Sequence, residues 1–264
     1  MDFQNKVCVV TGGALGIGRC LTQEFARRGA KVAFIDRDEA AGQENLEVIL
    51  QAGGQALFFH GDIAEEQVLR DFVQEVVKAY SKVDYLINNA CLSRGGILSG
   101  CSYEDFNYVL RIGVTAPYFL SLLLLPHFNP GASIINISST RALMSQPDTE
   151  SYTAAKGGIT ALTHGLTASL AGRVRVNAIS PGWIDTTPYH GSNYMPSHSP
   201  ADQLQHPVKR IGQPMDIVRA VMFLCSEENS FINGQNLVVD GGMTKLMIYH
   251  GDFGWSFTPE EEGN

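Results

Sequence analysis

Tyr152 and Lys156 stand four residues apart near the start of a stretch, Glu150 to Leu170, that reads as a long helix. Residues at that spacing share a helix face, one turn from each other. An ammonium so placed stabilises a tyrosinate electrostatically. Beside a hydride acceptor, a tyrosinate can take the proton of an alcohol as the hydride leaves. Ser139 lies 13 residues before Tyr152 and offers a hydroxyl to hold the reacting oxygen. Tyrosine and lysine at this spacing are common, and a structural tyrosine beside a solvated lysine reads the same way. The rest of the chain separates the two readings.

A second group could hold an anion. Four apolar residues, Val7 to Val10, read as a buried strand, and Gly12-x-x-x-Gly16-x-Gly18 follows at once with Leu15 and Ile17 inside it. Arg19 to Arg28 then has helical spacing, with Cys20, Leu21, Phe25 and Ala26 on one side. Strand, glycine turn and helix in that order present backbone N–H groups and a positive dipole end to a pyrophosphate. Glycine lets the phosphates approach where a Cβ would collide. A tight turn without a ligand is the plain alternative. The next strand, Lys31 to Ile35, ends on Asp36, 18 residues after Gly18. A carboxylate at about that distance suits the ribose hydroxyls of the adenosine half and repels a 2′-phosphate, which favours NAD over NADP. Arg37 argues the other way, since a guanidinium accepts phosphate or stacks on adenine. Asp36 also reads as a helix N-cap, which need not conflict.

These groups need a frame that carries them to one place. Glu39 to Ala52 reads as a helix closed by Gly53-Gly54, and Ala56 to His60 as a strand leading to Gly61, Asp62 and Ile63. Glu65 to Tyr80 is helical, with Val68, Phe72, Val76 and Val77 as the expected buried stripe. Val83 to Ile87 is a strand ending in Asn88-Asn89-Ala90-Cys91. A long helix follows over Tyr103 to Phe128, with breaks expected near Gly113 and Pro117. Strands over 132–137, 173–179 and 235–239 and a short helix over 214–225 complete the alternation. The fold class is α/β: one doubly wound parallel sheet with helices on both faces. Ligands of such sheets bind beyond the carboxyl ends of the strands. Gly18, Asp36, Asp62 and Asn88 all follow strand ends, so one rim is expected to hold them. A polar stretch from Ile184 to about residue 210 reads as a lid.

Composition limits the partners. The chain has 264 residues, a net charge of −8 and no Lys/Arg block, which argues against a nucleic-acid surface. No charged-then-apolar leader precedes the first strand, so no signal peptide is expected. The most apolar run, Tyr118 to Leu125, is too short to span a bilayer. Five cysteines form no CxxC pair and suit a reducing cytoplasm.

Taken together, Thr11-Gly12-x-x-x-Gly16-Ile17-Gly18, Asp62, Asn88-Asn89-Ala90, Ser139, Tyr152-x-x-x-Lys156, Pro181-Gly182-x-Ile184-x-Thr186 and Asp240-Gly241-Gly242 resemble the short-chain dehydrogenase/reductase family. The resemblance runs nearly the whole chain. It implies a Rossmann-type sheet of seven parallel strands over residues 1–242, most often in a homotetramer, with 243–264 as an added tail. It implies Tyr152 as acid/base, Lys156 on the nicotinamide ribose and Ser139 orienting substrate. Asp62 and Ile63 would meet the adenine, Asn89 would support the adenosine side with Ala90, and Ile184 and Thr186 would hold the carboxamide. Pro181 and Gly182 belong to the same cofactor set.

Two positions depart from the family. Cys91 replaces a glycine, as a packed or a reactive thiol. Gly113 replaces a frequent asparagine that anchors a water in a proton path from the lysine. The Gly113 carbonyl is expected to take over that water, so restoring asparagine should change turnover only modestly. The lid contributes Trp183, Tyr189, Tyr194 and Met195, with His190, His198 and His206 at spacings that give no metal site. Arg94 and Arg141 follow the fourth and fifth strands. Each could attract a carboxylate or phosphate on the substrate, or form a surface ion pair. The tail holds Met247, Ile248, Tyr249, Phe253, Trp255 and Phe257, which should pack on their own subunit or, preferably, cover a neighbour's cleft. Glu260 to Glu262 reads as a solvated end.

The expectation is an NAD-dependent oxidoreductase interconverting a secondary alcohol and a ketone, forming a homo-oligomer (tetramer or dimer) and working without a metal or a membrane. The alternatives are an NADPH-linked carbonyl reductase using Arg37, and a nicotinamide-binding regulator with little turnover. Gly113 alone supports the regulator.

Overall fold

β1 (Val7–Thr11) is buried along its whole length, and the other strands are laid out from it. The computed structural model describes residues 3–190, 195, 198–256 and 258. Seven parallel strands form one sheet, in the order β3-β2-β1-β4-β5-β6-β7. The others are β2 (Lys31–Asp36), β3 (Gln55–His60), β4 (Val83–Asn88), β5 (Phe128–Ile137), β6 (Arg175–Pro181) and β7 (Asn236–Val239). The helices between them are α1 (Gly16–Arg27), α2 (Glu39–Gln51), α3 (Glu66–Tyr80), α4 (Tyr103–Leu110), α5 (Ala116–Leu124), α6 (Glu150–Ser169), α7 (Pro200–Leu204) and α8 (Pro214–Cys225). The expected doubly wound α/β class is what forms.

Alternation along the strands builds two cores. Cys8, Val10, Phe34, Ile87 and Ile135 face α1 and α8, where Leu21, Phe25, Ile217 and Val221 receive them. Val9, Ile35, Leu86 and Ile134 face the other side, against Phe72 and Val76 of α3 and Leu120 and Leu124 of α5. The α3 stripe sits differently from the expectation. Leu69, Phe72, Val73 and Val76 are buried, while Val68 and Val77 flank them half-buried. Phe72 fixes the face by packing its ring 5.7 Å from that of Phe59 on β3.

The long helix expected to end at Phe128 runs from Tyr103 to His127 and is interrupted, but not broken, at Gly113. A π-turn over Arg111–Thr115 joins α4 to α5, and the Ala116 N–H donates to Arg111 O. Pro117 is the second residue of α5, directly after the π-turn, where the altered bonding of that turn accommodates its missing N–H. An 18-residue stretch within this run of 25 residues has mean hydropathy 1.6, so the helix is long and apolar enough to cross a membrane by length and composition, a longer apolar stretch than Tyr118–Leu125 alone. Here Ile112, Ala116, Leu120 and Leu124 are buried against the sheet, so it serves as a core helix.

The strand order reverses between β1 and β4, each of which leads to a different side of the sheet. That switch point opens a crevice beyond their carboxyl ends. Ser139 and the start of α6 lie next along the same rim, after β5.

Candidate active site

The crevice is a cavity of 290 Å³. Gly12, Leu15, Ile17, Asp36, Arg37, Asp62, Ile63, Asn89, Ala90 and Thr186 line it, all of them expected from the sequence. Thr11 and Asn89 clamp its floor. Thr11 Oγ1 accepts the N–H groups of Asn89 (3.0 Å) and Ala90 (3.1 Å), and Asn89 Nδ2 donates to Thr11 O and Gly12 O. The sheet thus holds the glycine turn from both β1 and β4. α1 begins at Gly16 with Leu15 as N-cap, no side-chain acceptor for its first N–H groups and no acidic residue in its first turn. Orphan donors and a positive dipole end are therefore left at the cavity wall. A pyrophosphate fits that chemistry.

Asp36 closes the far end. Its Oδ2 accepts from Ala14 N (3.0 Å) and its Oδ1 from Asp38 N (3.1 Å). The N-cap of α2 is Asp38, whose side chain accepts from Ala41 N, so Asp36 is released from the capping role the sequence also allowed. Asp62 accepts the hydroxyl of Tyr108 on Oδ2 at 2.5 Å, and Arg37 Nη1 reaches the same hydroxyl at 3.4 Å. Burial, then Asp62, pushes the Tyr108 phenol above the usual tyrosine value. Nothing in the α4 pattern singled out Tyr108.

Two expected cofactor glycines act differently. A Cβ at Gly18 would lie 1.8 Å from Gly12 O, so Gly18 packs α1 onto the turn rather than lining the cavity. Gly16 has φ +58°, and the atoms nearest a Cβ there would be those of Thr186 at 3.5 Å and His190 at 3.6 Å. Asn88 also leaves the expected rim. It is buried, and its Nδ2 donates to Asn136 Oδ1 across the sheet.

A second cavity of 750 Å³ adjoins the segment that carries Thr186. Ser139, Tyr152, Gly182 and Ile184 line it, with Arg141, Gln146, Trp183, Asp202 and Met243. Pro181 ends β6 in register with Val239, and a Cβ on Gly182 would strike Asp240 at 2.7 Å. Ile184 pairs with Gly212 in an isolated bridge. Ser139 caps a short turn, Thr140–Ala142, by accepting from Arg141 N at 3.1 Å, which leaves its own hydrogen to donate. Tyr152 lies in the first turn of α6, where side chains lean back toward the positive helix end.

Lys156 is 3% exposed. Its Nζ sits 5.4 Å from the Tyr152 ring centroid and donates to Ile137 O at 2.7 Å. Ser138, which sequence reasoning passed over, staples α6 to β5: its Oγ donates to Lys156 O at 3.0 Å and meets Thr160 Oγ1 at 2.7 Å. Strand alternation was the available signal, since two successive serines must face opposite sides. One serves the helix and the other the cavity.

The remaining candidates sort themselves. Arg94 pairs with Asp105 at 3.8 Å and lies over the Tyr108 ring, away from the Ser139 cavity. Tyr189 turns from the lid toward Cys20 on α1, and burial pushes its phenol up to about 12. His190 meets Thr186, His198 pairs with Asp185 and His206 is buried, and no group of three metal-ligating side chains forms among the described residues. Cys91 lines the cofactor crevice half-buried, with its thiol 3.7 Å from Leu92 O. Met247, Ile248, Tyr249 and Trp255 stay partly exposed on this chain, which leaves apolar surface along the tail. Tyr194, Phe257 and Glu260 to Glu262 lie outside the described residues, as does the Phe253 side chain.

Comparison with known proteins agrees with this fold. A family model described as Enoyl-(Acyl carrier protein) reductase matches residues 12–244. An uncharacterised oxidoreductase of Thermotoga maritima is 42% identical over 253 residues, covering 94% of this chain and 99% of that one. The solved structure of an apo SCOR enzyme from Clostridium thermocellum superposes with a TM-score of 0.86 at 41% identity, covering 97% of this chain and all of the other. A 7α-hydroxysteroid dehydrogenase, solved with NADH and 7-oxo glycochenodeoxycholic acid, superposes at 0.83 with 32% identity and covers 91% and 95% of the two chains.

Proposed function

The chain belongs to the short-chain dehydrogenase/reductase family and is an oxidoreductase of it, and from that premise we propose that it interconverts a secondary alcohol and a ketone with NAD. One observation carries the reading: Ser139 and Tyr152 share a cavity, with Lys156 one helical turn behind, next to a crevice built for a dinucleotide.

Bound NAD supplies the carbon that accepts a hydride. The chain's own residues do the rest. Ser139 donates its free hydroxyl hydrogen to the substrate oxygen. Tyr152, as the phenolate, takes the alcohol proton while the hydride departs, which leaves a ketone. The Lys156 ammonium and the start of α6 stabilise the negative phenolate in a partly dry site. In reduction, Tyr152 returns the proton. The uncapped start of α1 and the Thr11–Asn89 clamp support the pyrophosphate and the adenosine half.

Asp36 supports NAD rather than NADP. Both its oxygens are fixed by backbone N–H groups at the end of β2, where a 2′-phosphate would meet a carboxylate. Arg37, on the same wall, is drawn to Tyr108 and is the residue that supports the NADPH-linked alternative. Five free cysteines suit a cytoplasmic setting, and the exposed apolar tail supports a homo-oligomer.

The test is a panel of secondary alcohols with NAD and NADP, followed at the NADH absorbance, alongside energy transfer to NADH from Trp183 on the cavity wall. Turnover with NAD is expected, and Tyr152→Phe should cost about 10²- to 10⁴-fold in kcat while NADH still binds. NADH binding with no alcohol or ketone turned over would favour the regulator reading.

A further inference from the structure

We propose that Arg141 holds a carboxylate on the substrate, so that the preferred alcohol or ketone carries an acid group. This rests on reading the Ser139–Tyr152 cavity as the place of reaction. Arg141 lines that cavity and follows Ser139 by two residues. Its guanidinium Nη2 donates to Gln146 Oε1, a neutral acceptor. Its Nη1 is buried and has no hydrogen-bond partner among the described residues. Arginine stays protonated at any working pH, so the buried edge of this half-buried guanidinium is left with no opposite charge beside it. Burying a charge without an opposite one is costly, and chains ordinarily supply the opposite charge.

This chain does so for other arginines. Arg94 meets Asp105, Arg111 meets Glu104 and Arg210 meets Asp216. Arg141 joins no ion pair among the described residues, although the cavity wall includes a carboxylate. That residue, Asp202, is engaged elsewhere: its Oδ2 accepts the N–H and the hydroxyl of Ser199 in the capping box of α7. A planar carboxylate matches a guanidinium edge, and such charge-assisted bonds are roughly twice as strong as neutral ones. The backbone N–H of Arg141 meanwhile holds Ser139 Oγ at 3.1 Å. One short turn therefore fixes both the hydroxyl that grips the reacting oxygen and the cation that grips the acid group. Side-chain substitution at 141 leaves that N–H in place.

The test uses matched probes with NAD: 3-hydroxybutyrate and 4-hydroxypentanoate, their carboxamides, 2-hydroxypropyl phosphate and 2-butanol. Wild type should favour acid over amide in kcat/KM by about 10- to 100-fold. Arg141→Gln should bring that ratio near one, chiefly through KM, and Arg141→Lys should restore part of it. A ratio at or below one in wild type, a ratio untouched in Arg141→Gln, or a preference for the phosphate ester overturns the proposal. If no alcohol is oxidised, the reaction reading fails on its own, and binding then decides. Quenching of Trp183 by 4-oxopentanoate in the presence of NADH supports the proposal if it is seen in wild type and lost in Arg141→Gln. Equal quenching, or none in either, overturns it. Unfolding midpoints in urea check that both variants fold.

Discussion

Gly113 is fixed by its neighbours rather than by its own freedom. A Cβ there would lie 2.7 Å from Ala155 Cβ and 3.3 Å from Cys91 Sγ. The two departures from the family pattern thus touch each other: the sulfur of one stands where the other keeps no side chain. Sequence reading treated them as separate, because nothing in a linear chain joins residues 91 and 113. The modest change in turnover expected of Gly113→Asn is a separate quantity from stability, and the packing predicts that this variant should lose about 1–3 kcal/mol in urea unfolding. Adding Cys91→Gly should recover part of it, since the Ala155 contact remains. Ser139, Tyr152, Lys156 and Asp36 were legible because each is a chemical type at a set distance from a strand end. Arg141 was legible only as a candidate, for its missing counter-ion depends on where Asp202 turns. Ser138→Ala should cost about 1–2 kcal/mol of stability by removing a buried donor that joins β5 to α6.

Elements were read well where burial is continuous and less well where a helix must choose a face. β1 announces itself as four apolar residues in a row, and β4 and β6 as strands buried almost throughout although Asp84 and Asn177 lie within them. α3 does not, since Val68, Leu69, Val73 and Val77 all compete for the core and Phe72 decides among them. The π-turn between α4 and α5 was visible only as a glycine and a proline in a helical pattern. α8 provides an electrostatic check. Asp216 accepts from Gln213 N at its start, and the Arg210 guanidinium holds its carboxyl below the usual carboxylate value. A lowered carboxyl contributes stability in full above the unfolded value of about 4 and loses it as pH falls through the folded value. Arg210 is half exposed, so the pair contributes modestly. Asp216→Asn should therefore lower stability by about 0.5–1 kcal/mol at neutral pH. Thermal midpoints should converge with wild type once pH falls below the lowered folded value of the carboxyl.

Across the whole molecule, the sheet order places the crevice proposed for the dinucleotide at β1/β4 and Ser139, Tyr152 and Lys156 one strand further along, after β5. The tail starts from the second cavity, since Met243 is on its wall, and then carries exposed apolar side chains away from it. Truncation after Gly242 should weaken assembly or raise KM severalfold, read by sedimentation and steady-state kinetics. Unchanged assembly together with unchanged KM would remove the tail from both roles. The anchor of Lys156 has a longer reach. Its acceptor is a peptide oxygen, and all twenty amino acids, proline included, bring that same atom to position 137. Drift at that site can rewrite the side chain and leave the cation tethered. Only a slip of β5 against Ile179 and its other partners in β4 and β6 could move the oxygen, and such a slip would turn the strand's apolar residues out of both cores. The amine proposed for catalysis is thereby insured by the same register that keeps the protein folded.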